Sequence, residues 1–212
     1  MRPVLILLAK APVPGKVKTR LAKTIGIELA AKLHKAFVED TLEKAMALAG
    51  KIAIDVELHT DAETDAWPSI RVTQRLQVSG NLGTRMYYAL QGAYEQGRPQ
   101  AIIIGSDSPT LPASHLINLL EFSGDIALGP TEDGGYYAIS SRRAHPEMFR
   151  SVNWSTDRAL ADTEIACQAA GMGTIRGLTW YDIDEYEDLI RLFAEPGLPR
   201  ATEAMRHLLN FA

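Results

Sequence analysis

The chain has 212 residues, one cysteine and a formal net charge of −4. This length is enough for one domain with a sizeable hydrophobic core, and 46% hydrophobic with 23% charged residues is ordinary for a globular protein. The acidic balance disfavours binding to nucleic acid or to a membrane surface, which usually needs a basic chain. The lone Cys167 excludes an intrachain disulfide and a cysteine-based zinc site.

No part of the sequence is typical of a membrane or secreted protein. The apolar run at 4–9 is too short to span a bilayer, and a loop rich in lysine and proline follows it instead of a cleavage site. We therefore expect a cytoplasmic protein with no membrane partner. The apolar side chains near the end of the chain are expected to pack within the chain rather than against a second copy.

Apolar runs alternate with helical patterns along the chain. Strands are predicted at 4–9, 52–60, 71–78, 101–105, 125–129, 136–140 and 174–178. Helices are predicted at 27–49, 84–96, 116–122, 156–170, 186–194 and 201–211. This alternation, with no linker or repeat, predicts one α/β domain over 1–212 with a mostly parallel central sheet. Ligands of such sheets bind beyond the carboxyl ends of the strands, so the segments that follow the strands are the first candidates for a site.

A basic loop follows the first strand. Its four basic side chains are Lys10, Lys16, Lys18 and Arg20. Lys and Arg donors, together with backbone N–H groups, bind a di- or triphosphate, although a solvated basic loop is the alternative. The loop has neither the Walker A spacing nor a GxGxxG pattern.

Two carboxylates follow later strands. Asp107 comes at the end of the strand at 101–105, and Asp184 lies in the segment YDID. At the carboxyl edge of the sheet, both could hold Mg²⁺ or Mn²⁺ through oxygen and so bridge it to phosphates. A turn before Pro109 and an acidic first helical turn are the structural alternatives.

The segment GPTEDGGYY offers a third candidate. Asp133, in preference to Glu132, could orient or deprotonate an acceptor, while Tyr136 and Tyr137 supply flat surfaces. An Asp-Gly-Gly turn is the alternative interpretation. The segment 81–85 could close over a base or its phosphates, or could simply be a transition from loop to helix. Cys167 lies within a predicted helix and is expected to pack in the core.

Together, these motifs resemble the DUF2064 family of bacterial GT-A-type proteins. The resemblance rests on AKAPVPGKVKTRL, NLGTRM, GSDSPTLP, GPTEDGGYYAIS, NWST and DID followed by EDL, which cover residues 3 to 192. It implies the fold of nucleotide-diphospho-sugar transferases, a three-layer α/β/α, Rossmann-like GT-A domain. One departure from the family pattern is Glu185-Tyr186, where Thr-Pro is common.

The resemblance also implies roles for individual residues. It places the nucleotide across the carboxyl edge of the sheet and the metal, Mg²⁺ or Mn²⁺, on Asp107 and Asp184. The predicted nucleotide-binding residues are Ala9, Lys10, Ala11, Pro12, Gly15, Lys16, Lys18, Arg20, Gly83, Arg85 and Asp107. The predicted catalytic residues are Asp107, Asp133 and Arg20.

Three functions are consistent with this set of residues. The first is glycosyl transfer from a nucleoside diphospho-sugar to a small acceptor. The second is nucleotidyl transfer from a nucleoside triphosphate to a phosphorylated acceptor, with release of pyrophosphate. The third is a nucleotide-binding module without catalysis, which the presence of both candidate metal carboxylates disfavours.

Overall fold

The structure, a computed structural model, describes residues 1–211 and is built around a seven-stranded sheet. The strands are β1 (Val4–Ala9), β2 (Asp55–Thr60), β3 (Thr73–Leu76), β4 (Ala101–Ile104), β5 (Ile126–Pro130), β6 (Tyr136–Ser141) and β7 (Thr174–Arg176). The helices are α1 (Thr19–Ile25), α2 (Ile27–Ala49), α3 (Leu82–Glu95), α4 (Ala113–Glu121), α5 (Ala159–Ala169), α6 (Tyr186–Phe193) and α7 (Arg200–Leu208), with a short 3₁₀ helix at Pro146–Phe149.

The strand order is β3-β2-β1-β4-β6-β5-β7. Strand β6 is antiparallel to both of its neighbours, whereas the other paired strands are parallel. Strands β4 and β5 therefore share a direction, so their carboxyl ends meet at the same edge as the start of β6. The predicted α/β fold with a mostly parallel sheet is confirmed.

Successive side chains of the central strands point to opposite faces of the sheet, and each face packs in a separate hydrophobic core. In β1, Leu5 and Leu7 pack in the core that contains α2 and α4, whereas Val4 and Ile6 pack in the core that contains α3 and α5. Successive side chains of a strand point to opposite faces, so a strand that is apolar throughout requires helices on both faces. The result is the predicted three-layer α/β/α arrangement. Cys167 is fully buried in the second core, as expected.

A third core joins the end of the chain to α2. It contains Leu33 and Phe37 of α2, Leu189 of α6 and Met205 of α7. Buried Asp40 accepts hydrogen bonds from the backbone N–H groups of Ala201 and Thr202 at the start of α7. The closing helices therefore pack within the chain.

Several element boundaries differ from the sequence-based prediction. Helix α1 was not predicted, and β2 begins at Asp55 rather than at residue 52. The helix predicted from residue 156 begins at Ala159, because Asn153 folds back and donates two hydrogen bonds to Asp162. The helix predicted from residue 84 begins earlier, at Leu82, because the Asn81 side chain accepts a hydrogen bond from the backbone N–H of Thr84. No helix among residues 1–211 is long and apolar enough to cross a membrane.

Candidate active site

A cavity of about 610 Å³ opens at the carboxyl edge of the sheet. Its walls come from the ends of β1 and β4, the start of β6 and the segment Asp182–Asp184. Eight of the predicted site residues line it: Ala9, Lys10, Lys18, Arg20, Arg85, Asp107, Asp133 and Asp184. This volume falls in the usual range for small-molecule sites. The fold therefore brings the basic loop and the acidic segments to one cavity.

Lys18 carries the positive charge deepest into this cavity. It lies directly before α1 with φ 45° and ψ 45°, and its side chain is only 4% exposed. Its ammonium contacts the Asp107 carboxylate, lies 3.4 Å from Asp184 Oδ1 and donates to the Ile183 carbonyl at 2.5 Å. Burial lowers the pKa of Lys18, but the two carboxylates outweigh burial and raise that pKa above its ordinary value.

Asp107 is held beside the segment 181–184 by its own backbone and that of its neighbour. The Asp107 carbonyl accepts from the Ile183 N–H at 2.9 Å, and Ser108 Oγ donates to the Tyr181 carbonyl at 2.8 Å. Burial raises the pKa of the Asp107 carboxyl, but the Lys18 ammonium outweighs burial and holds that pKa below its usual range. Asp107 is therefore an ionised carboxylate in a fixed position.

Asp184 is fixed from the other side by the start of α6. Asp188 Oδ2 accepts hydrogen bonds from the N–H groups of Asp184 and Glu185, at 3.0 and 2.8 Å. Arg20 Nη1 lies 3.6 Å from Asp184 Oδ2 and 3.8 Å from Glu185 Oε1. The segment 184–188 thus caps the start of α6 and also places Asp184 on the cavity wall.

Asp182 also lines the cavity, and the sequence analysis missed it as a site residue. The segment alternates, because Tyr181 and Ile183 are buried whereas Asp182 and Asp184 are partly exposed. In an extended segment, residues two positions apart lie on the same side, so this alternation in the sequence could have predicted that Asp182 lies beside Asp184. Burial, together with the charges of Asp133 and the other cavity carboxylates, raises the pKa of Asp182 to about 7.

The donor set of the cavity fits a hard divalent cation. Asp107 and Asp184 share one cationic partner, Lys18, and offer carboxylate oxygens, which Mg²⁺ and Mn²⁺ prefer. Within residues 1–211, no three His, Cys, Asp or Glu side chains are arranged as a complete metal cage. Mg²⁺ is commonly bound by one or two carboxylates, with the remaining ligands supplied by phosphate and water.

The turn between β5 and β6 forms another wall. Asp133 Oδ1 accepts from Thr131 Oγ1 at 2.5 Å and from the Gly135 N–H at 3.0 Å, so this exposed carboxylate is oriented. Gly134 has φ +88°, and a Cβ there would lie 2.1 Å from the Asp157 carbonyl oxygen. Only glycine fits this position, which explains the Asp-Gly-Gly sequence structurally. Glu132 instead forms a bidentate ion pair with Arg191, at 2.6 and 3.1 Å.

Of the two predicted site residues in the segment 81–85, Arg85 lines the cavity and Gly83 does not. Arg85 lines the cavity, and its Nε donates to the Gly80 carbonyl at 3.0 Å. Gly83 is buried away from the cavity, where a Cβ would lie 2.8 Å from Phe149 Cβ and 2.9 Å from Trp154 Cζ2. The glycine allows α3 to approach these aromatic side chains, and Trp154 lines the cavity beyond them.

The remaining predicted residues lie outside the cavity wall. They are Ala11, Pro12, Gly15 and Lys16 of the basic loop. The Ala11 N–H donates to Asp61 Oδ1 at 2.7 Å, which fixes the start of the loop, and the Lys16 carbonyl faces Lys10 Nζ at 3.5 Å. These residues shape the loop that presents Lys10, Lys18 and Arg20.

Solved structures with the same fold include enzymes that use nucleotides. A candidate nucleotide-diphospho-sugar transferase from Desulfovibrio desulfuricans G20 is 26% identical and superposes with a TM-score of 0.81, covering 98% of this chain and 96% of that one. A CMP:2-keto-3-deoxy-manno-octonic acid synthetase, solved in complex with CTP, gives a TM-score of 0.58 at 13% identity over 91% of this chain and 97% of that one.

A third similar structure is the 4-diphosphocytidyl-2C-methyl-D-erythritol synthase from Anaerococcus prevotii DSM 20548. It is 10% identical with a TM-score of 0.56, and 96% of each chain is covered. At these low identities, the two synthases establish the fold alone. The chain thus has the fold of nucleotide-sugar transferases and nucleotidyltransferases.

Sequence comparison gives one family and no curated relative. A search of curated proteins finds no match. The model of DUF2064, described as an uncharacterized protein conserved in bacteria, matches residues 34–156, which is more than half of the chain. The resemblance noted from the motifs is confirmed, and the chain belongs to the DUF2064 family.

Proposed function

We propose that this protein is a transferase that uses a nucleotide-activated donor and Mg²⁺ or Mn²⁺. One observation carries this proposal: basic side chains and carboxylates line the same cavity at the carboxyl edge of the sheet. A phosphorylated donor needs cationic partners for its phosphates, and a divalent cation needs oxygen ligands beside those phosphates. The cavity offers both within one set of walls.

Different residues of the chain would bind the phosphates and the cation of such a donor. Lys10, Lys18 and Arg20 would neutralise the phosphates, and Arg85 lines the same cavity. Asp107 and Asp184 would hold the cation, which supplies stabilisation of the negative charge that develops on the leaving oxygen. These assignments fit the positions of the six side chains on the cavity wall.

Asp133 is proposed to orient or deprotonate the acceptor. Its Oδ1 is occupied by Thr131 and Gly135, so Oδ2 is the oxygen that can accept a proton or a hydrogen bond from an acceptor hydroxyl. Glu132 does not compete for this role, because Arg191 holds both of its oxygens.

Glycosyl transfer is the reaction that we favour. Among the similar structures, the candidate nucleotide-diphospho-sugar transferase has the higher identity and TM-score, and it covers nearly the whole chain. In this reaction, an acceptor oxygen would bond to the anomeric carbon of the sugar while the bond from that carbon to the diphosphate breaks. The nucleoside diphosphate would leave with the electron pair, and the acceptor proton would pass to Asp133.

The proposal is tested in two steps. First, thermal stabilisation is measured with a panel of nucleoside diphosphates, triphosphates and diphospho-sugars, each with Mn²⁺ and with EDTA. We expect stabilisation by one nucleotide class that depends on the metal. Second, release of nucleoside diphosphate and of pyrophosphate is assayed with candidate acceptors.

The outcomes separate the alternatives. Release of nucleoside diphosphate supports glycosyl transfer, whereas release of pyrophosphate would replace it with nucleotidyl transfer. Nucleotide binding that is unaffected by EDTA, without any turnover, would favour a binding module and overturn the metal-dependent proposal.

A further inference from the structure

The Lys18 ammonium lies beside both carboxylates that are proposed to hold the metal. It contacts Asp107, is 3.4 Å from Asp184 Oδ1, and donates to the Ile183 carbonyl. Its side chain is 4% exposed, whereas the side chains of Asp107 and Asp184 are 46% and 43% exposed. The lysine thus approaches the carboxylates from the protein side, and the carboxylates face the cavity.

The backbone of Lys18 is held in an unfavourable conformation to reach this position. Its φ of 45° and ψ of 45° lie in the left-handed region, which is unfavourable for a residue with a Cβ. At this position before α1, Asn or Gly would tolerate the conformation more easily. Lys18 makes no side-chain cap there. Its side chain instead crosses Phe37, with Nζ 5.6 Å from the ring centroid.

A divalent cation and this ammonium would share the same two carboxylates. Lys18 Nζ contacts Oδ1 of each aspartate, and Mg²⁺ binds carboxylate oxygens at about 2.0–2.1 Å, so a cation held by both aspartates would lie close to the positive Nζ. Repulsion between two positive charges that lie so close is strong in a partly buried site. The ammonium in this position therefore weakens metal binding, and its movement away would strengthen metal binding.

A diphosphate in the cavity provides a new partner for the displaced ammonium. Lys10 and Arg20 line the same cavity on the same loop, so a diphosphate bound to them would lie within the reach of the flexible Lys18 side chain. Each lysine contact that moves to phosphate frees one carboxylate contact for the metal.

We infer that Lys18 couples metal binding to diphosphate binding. In the free protein, the ammonium occupies the position between Asp107 and Asp184 and weakens their affinity for divalent cations. A nucleoside di- or triphosphate draws the ammonium away, so the cation and the donor bind together. This inference rests on the proposed function and extends it by assigning the order of assembly to one side chain.

The test measures Mn²⁺ binding by electron paramagnetic resonance, with and without inorganic pyrophosphate as the diphosphate probe. Wild-type protein is expected to bind Mn²⁺ weakly alone. Lys18→Met is expected to bind Mn²⁺ alone about tenfold more tightly than the wild type, and pyrophosphate should enhance its Mn²⁺ affinity much less. Lys18→Gln, which also removes the charge, is a second variant in case Lys18→Met does not fold.

The matched control is Lys23→Met, an exposed lysine on the same helix α1, which should leave Mn²⁺ affinity unchanged. Adding Asp107→Asn to Lys18→Met should abolish the gained binding. If the charge-removing variants bind Mn²⁺ no more tightly than the wild type, while pyrophosphate still enhances binding, the coupling by Lys18 is wrong but the metal site stands. If no variant binds Mn²⁺ even with pyrophosphate, the proposed metal site itself fails.

Discussion

Two clusters of charged side chains in this protein differ in how far their carboxylates are exposed. In the cavity cluster, the carboxylates of Asp107 and Asp184 share the Lys18 ammonium, and Arg20 Nη1 lies 3.6 Å from Asp184 Oδ2. In the edge cluster, on β2 and β3, one buried carboxylate, that of Glu57, accepts from His59 Nε2 at 3.0 Å and from Arg75 Nε at 2.8 Å. A second arginine, Arg98, lies 3.9 Å from the other oxygen of this carboxylate.

The comparison separates charges that are paired within the protein from charges that are exposed to a ligand. Buried charges are tolerated when partners and hydrogen bonds satisfy them, as those of Glu57 do, and the hydrogen bond from His59 leads the effects that lower the pKa of Glu57. The edge cluster borders a cavity of only about 130 Å³. The cavity cluster instead leaves the Asp107 and Asp184 carboxylates 46% and 43% exposed beside a cavity of about 610 Å³, where a bound ligand could reach them.

The largest effect is expected from Asp107→Asn. Removing this charge should reduce metal-dependent nucleotide affinity by about 100-fold or more, because Asp107 is a proposed direct ligand. The unfolding free energy should change less, since Asp184 and the Ile183 carbonyl remain as partners of the buried Lys18 ammonium. Calorimetric titration of nucleotide with and without Mn²⁺ measures the first quantity, and urea unfolding measures the second.

A matched control for that substitution is Asp125→Asn. Asp125 precedes β5 at the opposite end of the strand from the cavity and pairs with Arg143 at 3.2 Å. The Asp125→Asn variant should leave nucleotide affinity unchanged. Equal losses in the two variants would mean that Asp107 acts only through general charge or stability.

The opposite pattern is expected for Glu57→Gln in the edge cluster. The variant should lose about 2 kcal/mol of unfolding free energy, because His59 and Arg75 lose their buried charged acceptor. Metal-dependent nucleotide affinity should be retained. A Glu57→Gln protein of normal stability with weakened nucleotide binding would contradict the division between the two clusters.

Lys44 offers a smaller test, because it is a largely buried charge bonded only to carbonyls. Its Nζ donates to the carbonyls of Pro109 and Leu111, at 2.8 and 2.5 Å. Burial lowers the pKa of Lys44 from 10.5 to about 8, although Asp40 and Glu195 oppose this. Between about pH 8 and 10.5 the unfolded chain therefore binds more protons at this site than the folded chain, so this group's contribution to stability rises with pH.

The expected difference between pH 7.5 and 9.5 is about 2 kcal/mol. Urea unfolding of wild type and Lys44→Met at pH 7.5 and 9.5 isolates the contribution, since other titrating groups are common to both proteins. The wild type should gain stability relative to the variant at the higher pH. A constant or falling difference would show that Lys44 keeps its ordinary proton affinity in the folded state.

Position after a strand was a sufficient signal for much of the candidate site. Asp107, Asp184 and the basic loop all follow strands, and parallel strands bring such segments to one edge. The sequence was less informative where the chain folds back on itself. Gly83 was predicted to contact the nucleotide, yet the structure gives it a close approach to Phe149 instead.

Local conformation explains the other differences. Helix α1 is only seven residues long and starts after a left-handed lysine, so neither its length nor its cap follows the usual sequence pattern. The carboxylate of Asp182 was overlooked because acidic residues before α6 were interpreted as a helix start. That interpretation holds for Asp188, whose carboxylate accepts from two backbone N–H groups.

The reversed strand β6 has a consequence for how the cavity can change over evolution. Strand β6 is hydrogen-bonded to β4 on one side and to β5 on the other. The turn at 131–135, which joins β5 to β6, is therefore anchored by two sets of strand pairings. The tip of the turn is held as well, because the Gly134 carbonyl accepts from the Leu160 N–H and the Glu132 N–H donates to the Trp180 carbonyl. The wall that carries Asp133 is therefore expected to vary by substitution rather than by insertion.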